Sequence, residues 1–180
     1  MLRVAGIIEE SIVDGPGLRT TIFFQGCRHH CEGCHNPQTW SFEGGTEYTP
    51  EELLEKVQCN KLIDKITLSG GDPLYQDHKD LMKFISLLKE NGYTDIILYT
   101  GFTLEEIQDS FMPEYYSARD LQILDQVVFV TDPFVLSEKS MEVRFRGSTN
   151  QRVQKIFYSR EDNDVYWKDI ADTKEWRYLS

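Results

Sequence analysis

Cys27, Cys31 and Cys34 fall within eight residues in the pattern C-x3-C-x2-C. Thiols this close cannot staple distant segments together, and in a reducing compartment such a cluster reads as a set of metal ligands. Two chemistries fit the spacing. A structural zinc ion takes the three thiolates and a fourth ligand from His29, His30 or His35, closing a tetrahedron. A four-iron, four-sulfur (4Fe-4S) cluster held by only three thiolates leaves one iron open to an outside ligand, and an open position is what catalysis at a metal requires. Cys59 stands apart, 25 residues after Cys34 at the end of a helical pattern, and reads as a buried or incidental thiol rather than a fourth ligand.

Three polar loops offer further chemistry. Ser69-Gly70-Gly71-Asp72-Pro73 puts backbone without Cβ atoms beside one carboxylate, which suits hydrogen bonding to an ammonium group. By itself it is equally a tight turn with Pro73 at a helix start. Asp14-Gly15-Pro16-Gly17 is, alone, an ordinary turn. Arg146-Gly147-Ser148-Thr149-Asn150-Gln151-Arg152 sets two guanidinium groups among small and amide side chains. That composition can grip a carboxylate or a partner's backbone, and its plain alternative is a solvated loop.

The elements that must position these loops alternate. Arg19 to Phe24 is a run of β-branched and aromatic residues, a strand leading straight into Cys27. Thr49-Pro50-Glu51-Glu52 carries a capping-box Thr and a Pro at the first helical position, so a helix is predicted from Pro50 to Gln58. Ile66 to Leu68 is the next strand. Leu81, Phe84, Ile85 and Leu88 then recur at helical spacing until Asn91-Gly92 stops the helix. Asp95 to Tyr99 and Val127 to Val130 are two more strands, with a second capping box at Thr103 to Glu106 between them. This β-α-β-α order predicts an α/β fold with a mostly parallel sheet, whose ligand site lies at the strands' C-terminal ends. The cysteine and glycine loops all fall there. Eight β/α units typically take about 250 residues, so a partial barrel, open on one side, fits 180 residues better.

Composition narrows the class. With 40 % hydrophobic and 27 % charged residues, and no repeat or low-complexity linker, the chain reads as one ordinary folded domain over residues 1–180. A formal charge of -11 repels phosphate backbones and anionic headgroups, which argues against nucleic acid or membrane as partners. Apolar runs such as Ile22 to Phe24 are far short of a bilayer span, and Met1 to Ile8 has no signal-peptide pattern, so a cytoplasmic location is expected.

Together these residues resemble the radical S-adenosylmethionine superfamily, and within it the activating enzymes of anaerobic ribonucleotide reductases. Five elements carry the resemblance in order: Asp14 to Arg19; the three cysteines followed by Asn36-Pro37; Ser69 to Pro73; Tyr99-Thr100-Gly101; and Arg146 to Arg152. The second and third are superfamily features, and the first and last look like the reductase activases. The core of the resemblance is residues 1–155, with 156–180 unassigned. His35 stands where many members carry an aromatic residue, and Asp132 sits in Val130-Thr131-Asp132-Pro133-Phe134, one position from the family's usual carboxylate.

The resemblance implies a radical enzyme with a partial (β/α) barrel of that superfamily's type. Cys27, Cys31 and Cys34 would hold a 4Fe-4S cluster whose open iron is chelated by S-adenosylmethionine. Gly70, Gly71 and Asp72 would contact its methionine amine, and Gly33, Cys34 and His35 would lie beside it, with Asp132 and Arg146 as further contacts. An electron donor such as flavodoxin or ferredoxin would drive cleavage of the C5′–S bond, and the resulting 5′-deoxyadenosyl radical would take a hydrogen from a glycine of the reductase's large subunit. Asp14, Gly15, Gly17, Arg19, Asn150 and Arg152 would face that partner. The competing readings are an activase for another glycyl-radical protein, a small-molecule enzyme of the 7-carboxy-7-deazaguanine synthase type, and a non-enzymatic zinc or iron-sulfur module. The last has no use for a Gly-Gly-Asp-Pro loop on the face that carries the cysteines.

Overall fold

A computed structural model describes residues 1–59, 62–110 and 116–177. The elements in chain order are β1 (Leu2–Ser11), β2 (Arg19–Phe24), β3 (Thr46–Tyr48), α1 (Pro50–Val57), β4 (Lys65–Gly70), α2 (His78–Glu90), β5 (Asp95–Tyr99), α3 (Leu104–Ser110), α4 (Ala118–Leu124), β6 (Val128–Thr131), β7 (Arg152–Ser159), β8 (Asp164–Asp169) and α5 (Lys174–Arg177). The helix starts follow the capping chemistry. Thr49 and Glu52 form a reciprocal box at α1, and Thr103 and Glu106 do the same at α3. Among the described residues no helix is long and apolar enough to cross a membrane.

All eight strands join one sheet in the order β3-β1-β2-β4-β5-β6-β7-β8. Its centre is parallel, β2 to β4 to β5 to β6. The expectation of a mostly parallel sheet is corrected at both flanks: β1 pairs β2 and β3 antiparallel, and β7 pairs β6 and β8 antiparallel. For the β1–β2 and β7–β8 pairs the cause is connection length. Four residues join β7 to β8 and seven join β1 to β2, too few for the crossover that parallel pairing requires. Residues 156–177, unassigned from sequence, thus build most of a strand pair at the sheet's edge and a final helix, and 178–180 lie outside the described residues.

Alternation along the central strands divides the side chains. Ile22, Phe24, Ile66, Leu68, Ile96, Leu98 and Phe129 join the main core with Leu53 and Leu54 of α1, Phe84, Ile85 and Leu88 of α2, and Leu124 of α4. The opposite face carries Ile97, Val128, Val130 and Val153, covered by Ile170 and by Trp176 of α5. Trp176 Nε1 donates to Arg144 O at 3.1 Å, so the C-terminal segment supports the loop that carries Phe145 and Arg146.

Arg19 is fully buried on this second face. Its guanidinium donates to Thr67 Oγ1, to the carbonyls of Pro16, Ile66 and Asp95, and to both carboxylate oxygens of Asp95, at 2.7–3.2 Å. The expectation that Arg19 faces a partner is therefore corrected, and with it Gly15 and Gly17, which are buried against Ile97 and Lys65. A guanidinium whose donors are all met inside the protein has nothing left to offer outside it. Arg19→Met should lower unfolding stability by about 3 kcal/mol, the low end for breaking a buried ion pair, because Asp95 keeps 40 % side-chain exposure. A urea midpoint unchanged from wild type would refute that assignment.

Candidate active site

The C-terminal ends of β2, β4, β5 and β6 open onto one cavity of about 650 Å³, whose wall includes Cys27, Cys31, Cys34, Gly70, Gly71, Thr100, Gly101, Asp132 and Arg146. Chain direction alone places them there, since each loop follows its strand on the same side of the sheet.

The cysteine loop is pinned at both ends. Gly26 N donates to Thr39 O at 2.8 Å and Cys27 N to Trp40 O at 3.0 Å. A short 3-10 turn, Pro37–Thr39, brings those acceptors into position. Cys34 N closes a turn onto Cys31 O at 3.1 Å, and Asn36 N donates to Cys34 Sγ at 3.4 Å. The glycine loop lies directly against it: Gly71 N donates to Phe24 O, and Asp72 N to Gly26 O. A Cβ on Gly71 would sit 2.5 Å from Gly26 O, so the two loops approach as closely as backbone permits.

Burial pushes the Cys27 thiol up to about 11 and raises that of Cys31 as well. Both are neutral thiols at physiological pH until a cation replaces their protons. Among the described residues no three His, Cys, Asp or Glu side chains, the three cysteines included, are gathered around one point as ligands of a single metal ion would be. The thiols share one cavity wall instead. Cys59 is exposed and does not line that cavity, so of the two readings, buried or incidental, it is not the buried one.

The charged residues divide. Asp72 is fully buried and absent from the cavity wall, its carboxylate taken up by Leu74 N, His29 Nε2, Thr100 Oγ1 and Gly101 N. Asp132 does line the cavity, in a left-handed backbone conformation, but both its oxygens accept from Arg152 at 2.7 and 2.8 Å. Arg152 also holds both oxygens of Glu105, and this pairing lowers the Glu105 carboxyl to about 2. Arg152, expected at the partner face, is thus a brace between α3 and the loop after β6, because two carboxylates saturate its guanidinium. Asn150, expected beside it, donates to Pro133 O and buries its own oxygen without a hydrogen-bond partner.

Arg146 is different. Its Nη1 donates to Gln151 O at 2.8 Å, while its buried Nε has no hydrogen-bond partner. Gly33 takes a positive φ of 76° in the turn between Cys31 and Cys34 without reaching the cavity. His35 and Asp14 do line it, and the His35 ring lies 5.3 Å from that of Phe134. Two groups escaped sequence reasoning. One is His29 as a hydrogen-bonding side chain, for which its place between two cysteines was the only signal. The other is an exposed apolar rim of Ile8, Ile12, Val13 and Met141 along the cavity.

Residues 13–154 match the family described as a 4Fe-4S single cluster domain. The anaerobic ribonucleoside-triphosphate reductase-activating protein of Escherichia coli (strain K12) is 36 % identical over 154 residues, covering 81 % of this chain and 93 % of its own. The pyruvate formate-lyase-activating enzyme of Clostridium pasteurianum is 42 % identical over 107 residues, 57 % of this chain and 44 % of its own. The solved structure of QueE from Escherichia coli aligns with TM-score 0.46 at 20 % identity, over 57 % of this chain and 53 % of that one.

Proposed function

The chain belongs to the family of anaerobic ribonucleoside-triphosphate reductase-activating proteins, built on a 4Fe-4S single cluster domain, and on that footing we propose that it is a radical S-adenosylmethionine enzyme that installs a glycyl radical on the large subunit of an anaerobic ribonucleotide reductase. What supports this most is one cavity whose wall combines three cysteines, two glycines and Arg146, whose buried Nε has no hydrogen-bond partner. Soft thiolates suit an iron-sulfur cluster. In this reading Cys27, Cys31 and Cys34 each hold one iron, and the fourth iron is left to S-adenosylmethionine. When bound, the cluster and its ligand supply the electron and the 5′-deoxyadenosyl radical that takes the glycine's α-hydrogen.

The chain's own part is positioning and exclusion of water. The backbone of Gly70 and Gly71, beside the cysteine loop, receives the ligand's ammonium group. Arg146 Nε, buried and unpaired, receives its carboxylate. Asp132, both of whose oxygens are engaged by Arg152, adds a polar wall. We read the eight-stranded sheet as a partial barrel whose open side admits a segment of the reductase, and residues 1–180 as one such domain. The exposed apolar rim is where that segment docks, a cytoplasmic flavodoxin or ferredoxin being the electron donor.

Arg146→Gln should raise the dissociation constant for S-adenosylmethionine by about 10- to 100-fold, the value of one hydrogen bond to a charged group, with iron content unchanged. Unchanged affinity in a calorimetric titration would remove Arg146 from the site. The function itself is tested by anaerobic reconstitution with iron and sulfide, reduction, and electron paramagnetic resonance with and without S-adenosylmethionine, then with the reductase large subunit. A cluster signal that shifts with S-adenosylmethionine and is followed by a glycyl-radical signal on the reductase is the expected result. A radical on formate-lyase but not on the reductase would favour the second reading, an activase for another glycyl-radical protein. Colourless protein binding one zinc would overturn both.

A further inference from the structure

Three strand-end loops meet at one buried carboxylate. Asp72, from the loop after β4, accepts Leu74 N on Oδ1 at 2.9 Å. Its Oδ2 accepts His29 Nε2 at 3.0 Å, Thr100 Oγ1 at 2.8 Å and Gly101 N at 2.9 Å. His29 belongs to the cysteine loop, Thr100 and Gly101 to the loop after β5. The His29 ring is wedged there as well, edge-on to Phe102 at 4.8 Å and 5.4 Å from Tyr75. A buried carboxylate is tolerated only while its donors stay in place, so the junction has one low-energy arrangement.

We propose that His29 is a positioning residue for the reaction: through Asp72 it locks the stretch between Cys27 and Cys31 onto the Thr100–Gly101 loop, setting the distance between the cluster and the Gly70–Gly71 backbone that receives S-adenosylmethionine. This rests on the function proposed above. Asp72 acts through the same junction, without touching the ligand. The bonds from Gly26 and Cys27 to the Thr39 and Trp40 carbonyls tie the two ends of the cysteine loop to each other, whereas His29 carries its middle across to the loops after β4 and β5. An error of about 1 Å in such a setting is enough to cost a factor of about a hundred in an enzyme's rate.

Gly101 gives the means to test this from outside the cysteine loop. A Cβ there would lie 2.4 Å from His29 Cδ2, and the three nearest atoms are all His29's. Gly101→Ala therefore displaces the His29 ring and is relieved of its three tightest contacts once that ring is removed. Holoprotein carrying His29→Ala, Gly101→Ala, both together, or His29→Gln is reconstituted anaerobically. Iron per chain, thermal midpoint and the dissociation constant for S-adenosylmethionine are then measured, the last from the shift of the reduced-cluster resonance.

Each single variant to alanine is expected to weaken S-adenosylmethionine binding by about tenfold or more per loaded cluster. The double variant should be no weaker than His29→Ala alone, and His29→Gln, which can still donate to Asp72, should recover part of the loss. Equal affinity in wild type and Gly101→Ala would overturn the proposal, as would losses that multiply in the double variant. If His29→Ala fails to load iron, Gly101→Ala and His29→Gln decide on the same criteria. Failure of wild-type holoprotein to bind S-adenosylmethionine would instead overturn the function on which the proposal rests.

Discussion

Cys27→Ala, Cys31→Ala and Cys34→Ala are each expected to leave the protein without a stable cluster and with activation at background, whereas Cys59→Ala should reconstitute to about four irons per chain and retain full activity. The difference follows from placement. Cys27, Cys31 and Cys34 line the cavity, while Cys59 is exposed and its thiol donates to Glu55 O, four residues back. Two histidines of the surrounding loop are otherwise engaged, the His29 ring nitrogen by Asp72 and the His30 ring by stacking on Trp40. Two thiolates cannot hold a cube that presents four corners, so the loss is of the whole cluster rather than of part of its affinity. Iron and sulfide analysis with the visible absorption band reads the outcome directly. A fully loaded Cys34→Ala protein, or iron lost on replacing Cys59, would break the assignment of three ligands and one open iron.

The parts of this molecule legible in its sequence were those specified locally. The Ile-rich and Phe-rich runs of β2, β4, β5 and β6 end in glycine-containing loops, Thr49 and Thr103 announce their helices, and three cysteines within one loop need no tertiary information to be grouped. The flanking strands are less local. β1 contains Gly6 and departs from regular register between Val4 and Gly6 and again between Ile8 and Ser11, which blurs its period. The pairing of β7 with β6 depends on neighbours the chain cannot announce in advance. Charged residues were the hardest to place, because a sequence gives a charge without its partner. Arg19 finds Asp95 76 residues away, Arg152 finds Glu105 47 residues away, and Asp72 finds Thr100 28 residues away. Each of these charges, expected to face a ligand or a partner, is satisfied inside the protein, and the one that keeps an unpaired buried donor, Arg146, lies in a loop whose composition alone was ambiguous.

Charging the rim of the cavity should separate activation of the reductase from cleavage of S-adenosylmethionine. Ile12, Val13 and Met141 are 65 %, 73 % and 93 % exposed and line the cavity's edge together with Ile8. Apolar side chains gathered at the mouth of a site mark a docking surface for another protein. An aspartate introduced there lies in water while the protein is alone, so fold and cofactor site are undisturbed. Once the reductase covers it, the carboxylate must be desolvated against apolar surface, at a cost of several kcal/mol. Val13→Asp combined with Met141→Asp is therefore expected to lower glycyl-radical yield by about tenfold or more. Formation of 5′-deoxyadenosine with a chemical reductant and no reductase should stay close to wild type. Leu62→Asp, at a site 94 % exposed and away from the cavity, serves as the control for added charge. If both activities fall together, the rim belongs to the cofactor site; if neither falls, the reductase docks elsewhere. Only their separation fits a surface that meets the protein substrate and nothing else.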